Sequence, residues 1–465
     1  LKPRRAQSRA RHARRAGAAM RSKLSGPYKQ LQGESAALCF CCYIQPHVGQ
    51  PYYLCTCTPC CLAASACGLL LLLLLSAEIW VGSLAGRAFV ARHEGLEPNL
   101  TLCEPGAGGG FCGVGRGPVR TPNNMTDTMW FPGCTSSQLV GEMAAFNRNH
   151  DWKYVRLEPR PGAAGQEKVL LDAWWLPAAD PAAPRVVIAH GRDRNFNDWT
   201  VHVPAYMLRS MGFAVLLPNL RGHGSAARAE AGAWVTWGWA YHLDVLGAWD
   251  YAVRDPRAEL GGPADPGSVG LMGFGLGGLA AAVALGLEPR VPAAWLDSAV
   301  FEPSHVLAHE LQQAVGRLSG LFARASWLLA QHFAAAELAH RTPAAALAAR
   351  NRTARRARVA VLAGLRDAVV PPGESRLLAQ ALRARGELYE VREDYGASAA
   401  CGAATHAVMQ VWRPDAYRAK LCRFWSSAFR RSASDCGLVR LPHFGMDVFA
   451  EPGWEERPEA LGRLR

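Results

Sequence analysis

Ten residues, Val269-Gly-Leu-Met-Gly-Phe-Gly-Leu-Gly-Gly278, constrain this chain more than any other stretch. An apolar strand ends at Met272, glycines crowd the turn, and Leu, Ala and Val run on from Leu279 as a helix. A strand that turns sharply into an apolar helix belongs above a parallel sheet, where each crossover needs a covering helix.

The surrounding sequence keeps that rhythm. Strands are predicted at 154–157, 169–176, 185–189, 213–217, 269–272, 293–296, 359–362 and 388–391. Helices are expected at 204–211, 240–253, 276–287, 375–384 and about 407–429. Residues 306–349 are helix-forming throughout and interrupt the alternation. The pattern implies a mainly parallel sheet covered on both faces. With 465 residues there is room for a large α/β domain and additional segments.

The N-terminal part has a different character. Of the net charge of +13, residues 1–29 hold ten Lys and Arg and no acid. Everything after them carries only +3, from 41 basic and 38 acidic residues. Such an arm reads as a solvated tail or a contact for anionic lipid; no recognition motif accompanies it, so specific nucleic-acid binding is not expected. Seven of the fourteen cysteines follow between Cys39 and Cys61, as CFCC and CTCTPCC. Beside a membrane they suit S-acylation; a thiolate zinc cluster is the alternative, but the spacing is no standard finger and no His-x-His partner follows.

Residues 61–81 form a 21-residue apolar segment with seven consecutive leucines, Leu69 to Leu75, and one charge, Glu78. About 20 apolar residues cross a hydrocarbon core, so a transmembrane helix is expected. A cleaved signal peptide is the alternative, although the preceding segment is longer than an ordinary n-region even from Met20. The basic arm favours a cytoplasmic N-terminus, which makes the following domain lumenal or extracellular. Sequons at Asn99, Asn124 and Asn351 would then be usable for glycosylation. The plan is a basic, Cys-rich segment (1–60), a span (61–81), a Gly-rich linker (82–122), an α/β domain (123–430) with a helical insertion at about 302–349, and a weakly ordered tail (431–465).

Five motifs occur in order across residues 150–430. Val186-Val-Ile-Ala-His-Gly191 runs a strand into a tight turn, and Asn219-Leu-Arg-Gly-His-Gly-Ser225 follows the next strand. The glycine turn of 273–277 comes third. Leu362-Ala-Gly-Leu-Arg-Asp367, with Val370-Pro371-Pro372, ends a later strand, and Thr405-His406 precedes the last helix. Together they resemble the α/β-hydrolase superfamily, in its serine acyl hydrolase and serine aminopeptidase-like branch. The resemblance implies an α/β-hydrolase fold with the insertion as a lid. It implies Asp367 and His406 as the acid and base of a triad, and backbone N–H groups of Arg192 and Leu276 as the oxyanion hole. Arg221 and His223 would be structural braces, and Asp297 an alternative acid of structural use. Trp234, Trp237, Trp239 and Trp249 read as packing residues rather than a ligand box, with a place facing the cleft open to some of them.

The nucleophile position of G-x-S-x-G falls on Gly275, which has no atom to attack a carbonyl. The expectation is a pseudo-hydrolase with a binding or regulatory role. Its partners would be the membrane and a small acyl or peptide-like ligand or a protein. The rival is a hydrolase of ester, thioester or amide bonds that works through water activated by His406. No metal or cofactor is expected: the glycines read G-x-G-x-G-G, not the dinucleotide spacing G-x-G-x-x-G.

Overall fold

The computed structural model describes residues 59–91, 135–149, 152–162, 169–223, 234–353, 357–382, 386–391, 406–432 and 454–457. The cysteines from Cys39 to Cys57 and the sequons at Asn99 and Asn124 lie outside them. The chain divides into two compact units, residues 1–76 and 77–465. The described part of the first is helical, with Leu69 to Leu75 exposed.

That helix, α1 (Pro59–Val90), continues into the second unit. Residues 82–90 are therefore helix, which corrects the linker expected to begin at residue 82. Gly82 and Gly86 read as breakers in isolation, but both are buried in helix packing, and tertiary contact overrides propensity. Phe89 and Val90 are fully buried in the core of the second unit.

Among the described residues, nine strands form one sheet: β1 (Lys153–Leu157), β2 (Leu171–Leu176), β3 (Arg185–Ala189), β4 (Ala214–Pro218), β5 (Val269–Phe274), β6 (Ala293–Asp297), β7 (Arg358–Gly364), β8 (Gly386–Val391) and β9 (Trp454–Arg457). Their order is β1-β2-β4-β3-β5-β6-β7-β8-β9. From β4 to β8 every neighbouring pair is parallel; β1/β2, β2/β4 and β8/β9 are antiparallel. The residues of β3 to β6 are buried throughout, as two covered faces require. One face packs on α4 (Tyr241–Arg254) and α5 (Leu276–Leu287). The other packs on α2 (Ser137–Asn149), α3 (Trp199–Ser210) and the C-terminal helices.

Several boundaries differ from expectation for local reasons. Helix α3 begins at Trp199, because the Asp198 side chain caps it by accepting from the Thr200 N–H at 2.9 Å. Pro204 therefore sits inside the helix, not at its start. The last helix is two, α10 (Met409–Trp412) and α11 (Pro414–Ala428), because Arg413, at φ −130° and ψ 66°, leaves the helical region ahead of Pro414. In the region expected to be a weakly ordered tail, residues 454–457 pair with β8 as an edge strand. The insertion forms α6 (Pro303–Val315), α7 (Ser319–Ala334) and α8 (Pro343–Thr353). Helix α9 (Pro372–Leu382) follows β7.

Candidate functional site

The carboxyl ends of β3, β5, β6 and β7 lie side by side, with Ala189 opposite Gly273, Phe274 opposite Asp297, and Asp297 opposite Leu362. Each strand delivers one loop to the same region, the place where ligands bind in open α/β sheets.

From β5 comes the turn at Gly275, whose φ of 51° and ψ of −112° lie where only glycine rests without strain. It is locked from both sides. Its N–H donates to the Asp297 carbonyl at 3.1 Å, and its carbonyl accepts from Leu279 and Val300 at 3.1 and 3.3 Å. Helix α5 then leaves so close to β3 that a Cβ on Gly277 would stand 2.7 Å from the Ala189 carbonyl carbon.

The loop after β7 carries Asp367. One carboxylate oxygen, Oδ1, accepts from the backbone N–H groups of Val369 and Val370, both at 2.9 Å. The other, Oδ2, lies 2.8 Å from Nδ1 of His406, whose N–H donates to it. That bond leaves Nε2 facing the elbow: a Cβ on Gly275 would stand 2.9 Å from it. Burial works against a charge on His406, but the Asp367 carboxylate and its hydrogen bond, helped by Asp297, raise the imidazole above its ordinary value. Asp297 does not make that bond. It is buried at the end of β6, accepts from the Tyr417 hydroxyl at 3.0 Å, and is pushed up to about 7, chiefly by burial.

The loop after β3 is built on buried histidines. Nε2 of His190 accepts from the Leu220 N–H at 3.0 Å, so Nδ1 carries the proton and donates to Gly191 O at 2.8 Å. Burial, and then His223 nearby, hold His190 neutral. Three Arg221 donors reach the fully buried Asp244 carboxylate: Nη2 at 2.6 Å, the backbone N–H at 2.9 Å, and Nε, shared between both oxygens at 2.9 and 3.1 Å. Asn219 Oδ1 accepts from the Phe196 N–H at 2.8 Å, which ties this loop to the approach to α3.

These loops enclose a cleft of about 280 Å³. Arg192, Gly275, Leu276 and His406 line it, so four of the five expected site residues meet there, and Asp367 supports His406 from behind. Trp199, Trp237 and Val370 give it apolar walls, and α6 closes one side with Val306 and Glu310. Of the four tryptophans read as packing residues, some of them open to the cleft, Trp237 is the one in this wall. The role of the Arg192 side chain was not legible. Its guanidinium pairs with Glu310 at 3.0 Å and covers the rings of Trp237 and Phe89 at 5.5 and 5.6 Å. The helical insertion is anchored at its base by Glu374, which accepts from the Phe301 and Glu302 N–H groups at 2.9 and 2.7 Å. Among the described residues, no three His, Cys, Asp or Glu side chains converge as a metal site.

Residues 184–335 match the family model of the alpha/beta hydrolase fold. No curated protein matches the chain. Among solved structures, the chain is similar to an esterase of Pyrococcus furiosus, at 16% identity over 60% of this chain and 91% of that one, with a TM-score of 0.44. A puromycin-hydrolyzing peptidase of Mycobacterium tuberculosis is 20% identical over 61% of this chain and 40% of its own, TM-score 0.42. An acylaminoacyl peptidase of Pyrococcus horikoshii is 14% identical over 65% and 44%, TM-score 0.41. The family match and the mostly parallel sheet identify an α/β-hydrolase fold.

Proposed function

We propose that this is a membrane-anchored α/β-hydrolase-fold protein in which Gly275 holds the nucleophile position. Its cleft then binds an acyl or peptide-like ligand, or serves a protein partner, in a regulatory role without acyl-enzyme chemistry. The observation that carries the reading is the turn itself: Nε2 of His406 faces Gly275, and no hydroxyl stands between them. In this mechanism a base takes the proton from a serine that attacks a carbonyl, and glycine offers neither proton nor oxygen. Ligand recognition needs less. The Leu276 N–H is the first of α5 and has no intrahelical acceptor, so with the Arg192 N–H and the positive helix end it suits a carbonyl or carboxylate oxygen.

A fluorophosphonate probe tests the reading. The purified chain is expected to stay unlabelled, and labelling at Asp367 or His406 would contradict the proposal. Gly275→Ser is expected to gain labelling, because His406 is already bonded to Asp367 and its Nε2 faces the elbow.

The second reading keeps catalysis. An imidazole aimed at an elbow without a side chain is also placed to activate a water for attack on an ester, thioester or amide. It predicts turnover of short acyl esters that disappears in His406→Ala. Equal inertness of both chains ends it.

The membrane anchor is supported by α1. Leu69 to Leu75 are 45–63% exposed, and a run of leucines in water is unfavourable. A cleaved signal fits less well, since Phe89 and Val90 belong to the core and Val90 O accepts from the Val235 N–H at 2.8 Å. The basic arm supports a cytoplasmic N-terminus, and the disulfide-bonded Cys422 suits an oxidising compartment for the domain. S-acylation of the cysteines at 39–61 completes the proposal; hydroxylamine-sensitive acyl exchange that leaves them unlabelled would remove it.

A further inference from the structure

We infer that the lid helix α7 lies in the membrane interface, with Leu318, Leu321 and Leu328 immersed in lipid. This rests on the membrane-anchor part of the function proposed above. Those leucines are 57%, 61% and 56% exposed. A step of seven residues puts Leu321 and Leu328 on one stripe of α7, opposite the buried Ser326 and Ala330, and Leu318 ends the 3-10 turn (Gly316–Leu318) that leads into the helix. A water-facing stripe would ordinarily be polar; single exposed leucines are commonplace, but an aligned set marks a contact surface.

Helix α1 identifies the partner. A crossing of about 20 residues that begins at Cys61 ends near Trp80, so the next turn lies in the headgroup layer. That turn carries Gly82 and Gly86, which bring the α1 backbone against α7. A Cβ on Gly86 would stand 2.5 Å from the Ser326 carbonyl oxygen and 2.8 Å from the Ala330 nitrogen. Glycines four apart against Ser and Ala make the close packing used by helices in lipid.

The contacts also give the direction of the stripe. Nearest the apolar run, Gly82 meets Ala325, where a Cβ would stand 2.9 Å from the Ala325 Cβ. Farther along, Gly86 meets Ser326 and Ala330, and the Phe89 ring lies 6.4 Å from that of Trp327. Ala325 is four residues after Leu321 and three before Leu328, so the leucine stripe of α7 flanks its contact with the turn that follows Trp80. Ile79, Trp80 and Leu84 of α1, 54–67% exposed, extend the same apolar surface. Exposed Arg317 and Arg324 suit headgroup phosphates, as on helices that lie in an interface. The lid therefore has two functions: α6 walls the cleft through Val306 and Glu310, and α7 rests on the bilayer.

Photocrosslinking of the full chain in phosphatidylcholine nanodiscs tests this. Benzoylphenylalanine is introduced singly at Leu321, Leu328, Trp80 and the exposed Glu337, and lipid adducts are read by mass spectrometry of the peptides. The expected result is lipid adducts at 80, 321 and 328, at least fivefold above 337. Adducts at 80 with none at 321 and 328 overturn the inference while the anchor stands. No adduct at 80 removes the anchor and the inference together. Equal yield at 337, or crosslinks from 321 to another copy of the chain in place of lipid, also overturn it.

Discussion

His406 and Gly275 face each other so closely that a methyl group on Gly275 would lie 2.9 Å from the imidazole Nε2. The base thus reaches into the space over the elbow, and any side chain introduced there meets it first.

Gly275→Ala carries two penalties, the positive φ and the imidazole contact. Together they are expected to cost about 1–3 kcal/mol. In a His406→Ala background the contact is gone and the cost should fall. Denaturant midpoints of the four chains measure the difference, and equal costs in both backgrounds would show that the imidazole yields freely.

The raised imidazole gives stability a pH dependence. A group whose folded value exceeds its unfolded one, about 6.5 for histidine, stabilises fully below the unfolded value. That contribution is lost as pH rises through the folded value. Asp367→Asn removes the carboxylate that raises His406, so this loss on the alkaline side should flatten. Unfolding curves from pH 5.5 to 8.5 report it.

Asp297 acts in a lower window. With its folded value near 7 and its ordinary value 3.8, the native chain holds a proton there that the unfolded chain has released. Stability should therefore decline as pH rises from about 4 to about 7. Asp297→Asn keeps an acceptor for Tyr417 and is expected to abolish that decline. An unchanged slope would place the proton elsewhere.

Arg221→Ala strands the Asp244 carboxylate, which is wholly buried. Loss of one partner of such a pair costs about 3–5 kcal/mol. Replacing Arg221 and Asp244 together should cost less than the single change. A thermal melt of the two variants decides the order.

Phe89 stacks on Trp237 with ring centroids 4.6 Å apart and planes 8° from parallel. Phe89→Ala should cost about 3–5 kcal/mol. A loss below 1 kcal/mol would mean that the end of α1 is not built into the domain.

The sheet was legible wherever burial on both faces wrote an apolar run, as in Val186-Val-Ile-Ala189 and Val269 to Met272. Edge and interface elements were not. β9 reads Trp-Glu-Glu-Arg, with no apolar alternation, and is a strand only because β8 offers it hydrogen bonds. Gly82 and Gly86 looked like linker because their value lies in what they touch. At the site, chain order pointed to Asp367 and His406, but their 2.8 Å contact is made by loops from distant strands. Glu310 was invisible for the same reason: a glutamate on α6 has meaning only opposite Arg192.

The pairing of β9 with β8 bears on how the chain fares when shortened. Without residues 454–457, β8 would present a row of unsatisfied N–H and C=O groups, the template on which copies stack strand to strand. Three of the four β9 residues are charged, so the sheet closes on a strand that is a poor seed for further addition. A C-terminal cut before residue 454 therefore endangers solubility before it endangers the cleft.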